Sequence, residues 1–159
     1  MKTRFRLNNE AVEIEAAANE RLVDVLRRDF GILSVKKGCM QGLCGSCTVL
    51  LNDEPVPSCM LPLFAVEGKD IITLEALNET AEYRAIISAF EKQGIILCGF
   101  CSAGAILTAW SLIQKHRSLS EEQIRTAYMG AMCRCTDIIS ITAALQQVCK
   151  SRRSARREK

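Results

Sequence analysis

The sequence has few aromatic side chains and no broad basic face. Aromatic residues make up 5% of the chain, which leaves little surface on which nucleic acid bases could stack. The net charge of +3 is unevenly spread, because the segment from Lys150 to Lys159 carries +5 and residues 1–149 carry −2. A near-neutral body with a basic end does not provide the electrostatic footprint of a nucleic-acid-binding protein. We therefore expect no nucleic-acid partner.

We expect neither a secretory leader nor a membrane span in this sequence. Met1 to Arg6 leads directly into an alternating strand pattern, without an apolar signal region. The uncharged run 93–114 is about long enough to cross a bilayer. It contains three glycines and two cysteines spaced like metal ligands, which suits a helix buried in a small bundle better. The nine cysteines are an odd number, which argues against a disulfide scaffold, so we expect a cytoplasmic protein in a reducing compartment.

The length of the chain limits the chemistry that it can carry alone. Its 159 residues, 48% of them hydrophobic, are enough for one domain or two small ones with buried cores. They are too few to add a flavin domain and a large cofactor domain. Any reaction that needs those domains must therefore depend on partner subunits.

Three cysteines lie close together in the glycine-rich segment 36–47. Cys39, Cys44 and Cys47 have the spacing C-x4-C-x2-C, and Cys59 is the candidate for a more distant fourth ligand. This pattern is typical of the plant-type 2Fe-2S ferredoxin site. Interleaved glycines allow the positive φ angles with which a backbone wraps a cluster and directs N–H groups at its sulfurs. A structural zinc site is the alternative, although zinc favours paired C-x2-C knuckles.

The residues around this loop predict an α+β, β-grasp ferredoxin-like domain over 1–78. Alternating apolar residues predict a hairpin that turns at Asn8 and Asn9. A helix follows, with Asn19 as its expected N-cap and Gly31 as its stop. Further strands are predicted over 48–51, 63–66 and 71–77.

The apolar spacing changes from two to 3.6 residues at Ala81, which predicts a helical second domain over 79–150. Ser120 and Gln123 form a predicted capping box at the third helix of this domain. The segment 151–159 is charged and lacks an apolar face, so we expect it to be disordered. The four predicted helices cover about 82–93, 102–116, 120–129 and 136–150.

Two more cysteine pairs each precede a predicted helix. Packing of the helices is expected to bring Cys98 and Cys101 close to Cys133 and Cys135, between two helix N-termini. The unpaired N–H groups and positive dipole ends at those termini suit an anionic cluster of thiolates and sulfides. Redox-active thiols of the thioredoxin kind are the alternative, but they leave the second pair without a role. Cys149 belongs to neither set and is expected to be a plain thiol.

The eight cysteines of the two sets resemble those of the small iron-sulfur subunit of molybdenum hydroxylases. That family includes xanthine dehydrogenase, aldehyde oxidoreductase and carbon monoxide dehydrogenase enzymes, and the resemblance covers about residues 3–148. The motifs that carry it are Gly38-Cys39-x4-Cys44-Gly45-x-Cys47-Thr48-Val49, Ser58-Cys59, Cys98-Gly99-Phe100-Cys101-x2-Gly104 and Cys133-Arg134-Cys135-Thr136.

The resemblance implies an oxidoreductase subunit that transfers electrons and is not itself catalytic. Its partners would be a molybdopterin-binding large subunit and an FAD-binding subunit in a hetero-oligomer. Electrons would pass from molybdopterin to the cluster of the helical domain, then to the ferredoxin-type cluster, then to FAD. We expect a xanthine dehydrogenase-like complex that hydroxylates purines or related heterocycles. An aldehyde- or carbon monoxide-oxidising complex and a free-standing two-cluster carrier are the alternatives.

The resemblance also bears on three positions near the expected pterin and the second cluster. Cys135 matches the family cysteine that lies against the pterin. Leu97 stands where the family commonly has a glutamine that hydrogen-bonds to the pterin. Asp137 replaces a usual glycine and would lower the potential of the nearby cluster.

Overall fold

The fold is known from a computed structural model that describes residues 1–131, 133 and 135–157. Its strands all lie in the first half of the chain and its longer helices in the second, which confirms the predicted α+β class. The elements are β1 (Lys2–Leu7), β2 (Glu10–Glu15), α1 (Leu22–Arg28), β3 (Thr48–Leu51), β4 (Glu54–Pro57), β5 (Asp70–Ile72), α2 (Leu74–Leu77), α3 (Ala81–Lys92), α4 (Ser102–Lys115), α5 (Glu121–Tyr128) and α6 (Ile138–Arg157).

The strands form one mixed sheet in the order β2-β1-β5-β3-β4. Strands β1 and β5 are parallel at its centre, and the remaining neighbours are antiparallel. The predicted hairpin is confirmed, and both Asn8 (φ 52°) and Asn9 (φ 72°) adopt the left-handed conformation of a two-residue turn. Phe5 and Leu7 point into a core that they share with the buried face of α1.

Helix α1 begins later than the sequence predicted, so Asn19 is not its N-cap. The N-cap is Arg21, whose backbone is extended and whose side chain caps nothing. Arg21 instead forms an isolated bridge with Pro62, and the Leu22 N–H donates to the Leu61 carbonyl oxygen at 2.8 Å. The start of this helix is therefore set by pairing with a distant segment, which local sequence does not encode.

Two strand predictions in the first half are wrong. The segment Leu63–Val66 is a 3-10 helix, whose first and last residues are both buried at the spacing that brings i and i+3 onto one face. Strand β5 ends at Ile72, and α2 follows because the Asn8 side chain accepts the N–H of Thr73 at 2.8 Å. A second short 3-10 helix covers Ser58–Met60, and strand β4 was not predicted.

The four predicted helices of the second half are confirmed as α3 to α6. The capping box is present at α5, where Ser120 and Gln123 bond each other's backbone N–H groups. Helix α4 is buried along almost its whole length, which explains why its sequence carries no charge before Lys115. Among the described residues, no helix combines the length and apolar character needed to cross a membrane.

Helix α6 continues to Arg157, which contradicts the predicted disorder of residues 151–157. Arg152 anchors the extra turns, because its Nη1 donates to the Ile113 carbonyl oxygen at 2.6 Å and its Nη2 to Gln114 Oε1 at 3.3 Å. Local composition could not show this, since the partners lie at the end of α4. Residues 158 and 159 of the predicted tail lie outside the described residues.

The two halves of the chain pack directly on each other through α4. The Ser111 hydroxyl donates to the Asp53 carbonyl oxygen at 2.9 Å, and Lys115 pairs with Glu54 at 2.5 Å. Leu50 of β3 belongs to the core of the helical half. The division into domains at residues 78 and 79 stays a prediction, but α4 lies against the β3–β4 hairpin across it.

Candidate metal centres

The first three cysteines lie on an irregular loop between α1 and β3. The N–H groups of Gln41 and Leu43 donate to Cys39 Sγ at 3.4 and 3.3 Å, and the Cys39 N–H donates to Cys44 Sγ at 3.4 Å. Hydrogen bonds from the backbone, led by that of Gln41, lower the pKa of Cys39 to about 6. Donors that stabilise a thiolate are what a thiolate metal ligand requires.

Glycine is required at two positions for this loop to close around its thiols. A Cβ at Gly38 would lie 2.5 Å from Ser46 Oγ and 2.8 Å from Cys44 Sγ, so a larger residue there would displace the Cys44 thiol from its place in the loop. Gly42 has φ +74°, which other residues rarely adopt. The backbone thus has the close wrapping that the sequence predicted around a cluster.

Cys59 lies next to the third cysteine of the loop, although it is 12 positions further along the chain. It is carried by the 3-10 helix Ser58–Met60, and Ser58 holds this helix in place by donating to the Cys47 carbonyl oxygen from both N–H and Oγ–H. Cys47 and Cys59 are both buried. Burial raises the pKa of Cys47 to about 11, and the adjacent Cys59 thiol adds to the shift.

The four cysteines of the second set also come together. Cys101 is the N-cap of α4, and Cys133 and Cys135 lie on the segment between α5 and α6. Burial first, and then the neighbouring Cys133 thiol, raise the pKa of Cys101 to about 12, with smaller contributions from Cys98 and Cys135. The Cys98 thiol in turn raises the pKa of Cys135. The predicted meeting of the two pairs at the start of α4 is therefore present.

The thiols of each set lie as two neighbouring pairs. Zinc needs four ligands on one ion, whereas a 2Fe-2S cluster has four thiolates shared between two irons. The donor set therefore fits binuclear clusters better than structural zinc. The pairs are Cys39 with Cys44, Cys47 with Cys59, Cys98 with Cys135, and Cys101 with Cys133.

Asp137 lies two residues after Cys135 and is held as an anion. Its carboxylate accepts the Ser140 N–H and Oγ–H, both at 2.8 Å, and these bonds lower its pKa. The carboxylate thus bonds within the first turn of α6. Its predicted effect on the potential of a nearby cluster stays a prediction.

Several exposed apolar side chains flank the second cysteine set, and sequence patterns did not single them out. Leu97 is half-buried and packs against the core of the helical half. Its neighbour Ile96 and three other residues near these cysteines remain largely exposed. They are Ile96 (80% exposed), Met129 (79%), Ile139 (70%) and Phe100 (52%). Their positions in the sequence, close to these cysteines, could have indicated that they lie near the second set.

A basic cavity of about 760 Å³ lies at the other end of α4 from Cys101. Its lining includes Lys115, Arg152 and Cys149, but none of the eight cysteines in the two sets. Lys115 lies in the last turn of α4, where the helix dipole stabilises a cation, and Arg152 is bonded to the Ile113 carbonyl oxygen and to Gln114 Oε1. Burial raises the pKa of Cys149, which keeps it a neutral thiol.

Comparison with known proteins identifies the family. Residues 5–77 match the 2Fe-2S iron-sulfur cluster binding domain, and residues 73–146 match a second 2Fe-2S binding domain. The nicotinate dehydrogenase small FeS subunit of Eubacterium barkeri is 42% identical over 142 residues, which cover 89% of this chain and 90% of that protein. The xanthine dehydrogenase iron-sulfur-binding subunit of Escherichia coli O157:H7 is 36% identical and covers 82% of each chain. This chain belongs to the small iron-sulfur subunits of molybdenum hydroxylases.

The fold of this iron-sulfur subunit agrees with that assignment. The crystal structure of quinoline 2-oxidoreductase from Pseudomonas putida 86 contains a chain that superposes with a TM-score of 0.85 and 31% identity. The superposition covers 97% of this chain and 96% of that one. The predicted family and fold are thus confirmed, and each of the two 2Fe-2S binding domains of the iron-sulfur subunit contains one cysteine set.

Proposed function

We propose that this subunit carries electrons through two 2Fe-2S clusters within a molybdenum hydroxylase. The observation that supports the proposal most strongly is the arrangement of the thiols in neighbouring pairs, one complete set in each 2Fe-2S binding domain. The proposed ligands are Cys39, Cys44, Cys47 and Cys59 for the first cluster and Cys98, Cys101, Cys133 and Cys135 for the second.

The protein supplies thiols at both sites, backbone donors at the first and at least one buried cysteine at each. When bound, each cluster provides a centre that accepts and releases one electron. Backbone N–H groups stabilise the Cys39 thiolate, and burial shields Cys47 and Cys101 from water. None of the nine cysteines, all of which lie among the described residues, forms a disulfide, which suits a reducing compartment. We propose the cytoplasm as that compartment.

We further propose that the two halves face different partners. A molybdopterin-binding subunit would lie against the helical half, with Cys135 and Leu97 towards the pterin, and an FAD-binding subunit against the ferredoxin-like half. Ile96, Met129 and Ile139 each lie within four residues of a cysteine of the second set and are at least 70% exposed. A subunit that covered this set would bury their apolar surface, which is favourable.

The proposed substrate is a nitrogen-containing heteroaromatic compound. The names of the compared relatives specify nicotinate, xanthine and quinoline, which share such a ring. The sequence-based expectation is purines or related heterocycles; the nicotinate relative is 42% identical and the xanthine relative 36%, which does not single out purines. We therefore propose the wider class, with nicotinate and xanthine as the first compounds to test.

Isolation of the tagged chain from its native host tests this function. We expect a molybdenum-containing subunit and an FAD-containing subunit to co-purify in fixed proportion. Anaerobic addition of the correct heterocycle should then bleach the visible iron-sulfur absorbance of the complex. A chain that purifies alone with both clusters would instead support the free-standing carrier, and a colourless zinc protein would contradict both readings.

A further inference from the structure

The two cysteine sets are joined by a direct contact between backbones. Gly45 lies on the first loop, directly after Cys44, and Gly104 lies in the first turn of α4, three residues after Cys101. A Cβ built on Gly104 would lie 2.1 Å from the Gly45 carbonyl oxygen, whereas ordinary van der Waals contact begins at 3.4 Å. No side chain can occupy position 104 unless one of the two segments moves.

The same loop glycine is enclosed from a second direction. A Cβ on Gly45 would lie 2.8 Å from the Gly130 carbonyl oxygen and 2.9 Å from Ala131 Cα. Those residues lie just before Cys133, so Gly45 sits between the two segments that supply the second cysteine set. Its carbonyl oxygen is fixed by the Thr48 hydroxyl, which donates to it at 2.8 Å.

Gly104 lowers the stability of the helix that contains it, so its presence there calls for another structural reason. Gly104 takes part in the first helical turn, where glycine loses more conformational freedom on folding than alanine does and so lowers stability. Its φ is not in the left-handed region, so the backbone conformation does not demand glycine. The close approach of Gly45 is the feature of the structure that excludes a larger residue.

We propose that Gly45 and Gly104 are positioning residues, because their contact, here called the junction, sets the separation of the two cysteine sets and so of the clusters that those sets would hold. Electrons moving between such clusters would cross this junction. The inference rests on the proposed electron-transfer function and adds the junction within it. The rate of transfer between weakly coupled redox centres falls steeply with their separation. A methyl group at position 104 would push the two segments apart, although all eight cysteine side chains would still be present.

The test compares Gly104→Ala with Gly130→Ala in the assembled complex. Gly130 is the matched control, because it is close to the same junction, has no left-handed φ and has no atom within 4 Å of an added Cβ. Both variants should keep the iron and sulfide content of the wild type. Only Gly104→Ala should weaken the magnetic coupling between the two reduced clusters, which falls with the cube of their distance. Only Gly104→Ala should also slow substrate-driven reduction of the ferredoxin-type cluster, while reduction of the other cluster keeps its rate.

The proposal would be overturned if Gly104→Ala kept the wild-type magnetic coupling and the wild-type rate of electron transfer. It would also be overturned if Gly130→Ala lost as much coupling and rate as Gly104→Ala. If Gly104→Ala loses iron, Thr48→Val provides the second measurement, since it removes the hydroxyl that fixes the Gly45 carbonyl with little change in shape. If Thr48→Val weakens the magnetic coupling between the two clusters, the result supports the proposed role of the junction. If the coupling equals that of the wild type, the proposal is overturned. A wild-type complex without two reducible clusters would instead refute the proposed function itself, so the two failures are distinguishable.

Discussion

Cys44→Ser is expected to lower the iron content from about four to about two atoms per chain, because one of two Cys₄ 2Fe-2S sites loses a ligand. Serine is a poor substitute, since its hard hydroxyl lacks the soft sulfur that iron-sulfur clusters favour. Cys44 lies within hydrogen-bonding distance of the Cys39 N–H and of Ser46 Oγ, at the centre of the first loop. Iron and sulfide analysis, with the low-temperature magnetic resonance spectrum of the reduced protein, should show only the second cluster.

Cys149→Ser is the matched control for this experiment. The residue is a buried cysteine of the same chain, but it lies on α6 against the basic cavity and outside both cysteine sets. We expect iron content and reducibility equal to those of the wild type. Loss of iron in Cys149→Ser, or full iron in Cys44→Ser, would show that the proposed ligands are wrong.

Cys101→Ser is expected to remove the second cluster, which is that of the helical half. The ferredoxin-type cluster should remain, but it should no longer receive electrons from the substrate. Cys101 is buried at the start of α4 and lies close to the other three thiols of its set. Iron should again fall to about two atoms per chain. In the assembled complex, dithionite should still reduce the ferredoxin-type cluster, but the heterocyclic substrate should not.

The two ligand variants should therefore differ in whether the substrate can reduce the cluster that remains. Cys44→Ser should keep substrate-driven reduction of the second cluster, whereas Cys101→Ser should abolish substrate-driven reduction of the first. Both readouts come from the same anaerobic titration. If substrate reduced the ferredoxin-type cluster of Cys101→Ser at the wild-type rate, the proposed order of the two clusters would be wrong.

The features that the sequence predicted correctly are those encoded by neighbouring residues. The Asn8-Asn9 turn favours a tight hairpin, and Ser120 with Gln123 caps α5 through bonds three residues apart. The spacing of the eight cysteines implied two separate sites, because loops and helix starts place such residues side by side. Local chemistry was therefore sufficient for the fold class and for the family.

The features that the sequence did not predict depend on distant contacts. The start of α1 is set by pairing with residues near Pro62, and the last turns of α6 are anchored by Arg152 on the end of α4. The contact between Gly45 and Gly104 joins segments 59 positions apart, and neither glycine indicates its partner. Such pairings arise only when the helical half packs on the ferredoxin-like half.

The most direct measurement of the electron-transfer role is the metal content and reduced-state spectrum of the purified wild-type chain. We expect about four iron and four sulfide per chain, as two 2Fe-2S clusters with four cysteine ligands each. Anaerobic reduction should give two distinct paramagnetic signals of equal intensity. A single iron pair per chain, or zinc in place of iron, would contradict the assignment of two redox centres to this subunit.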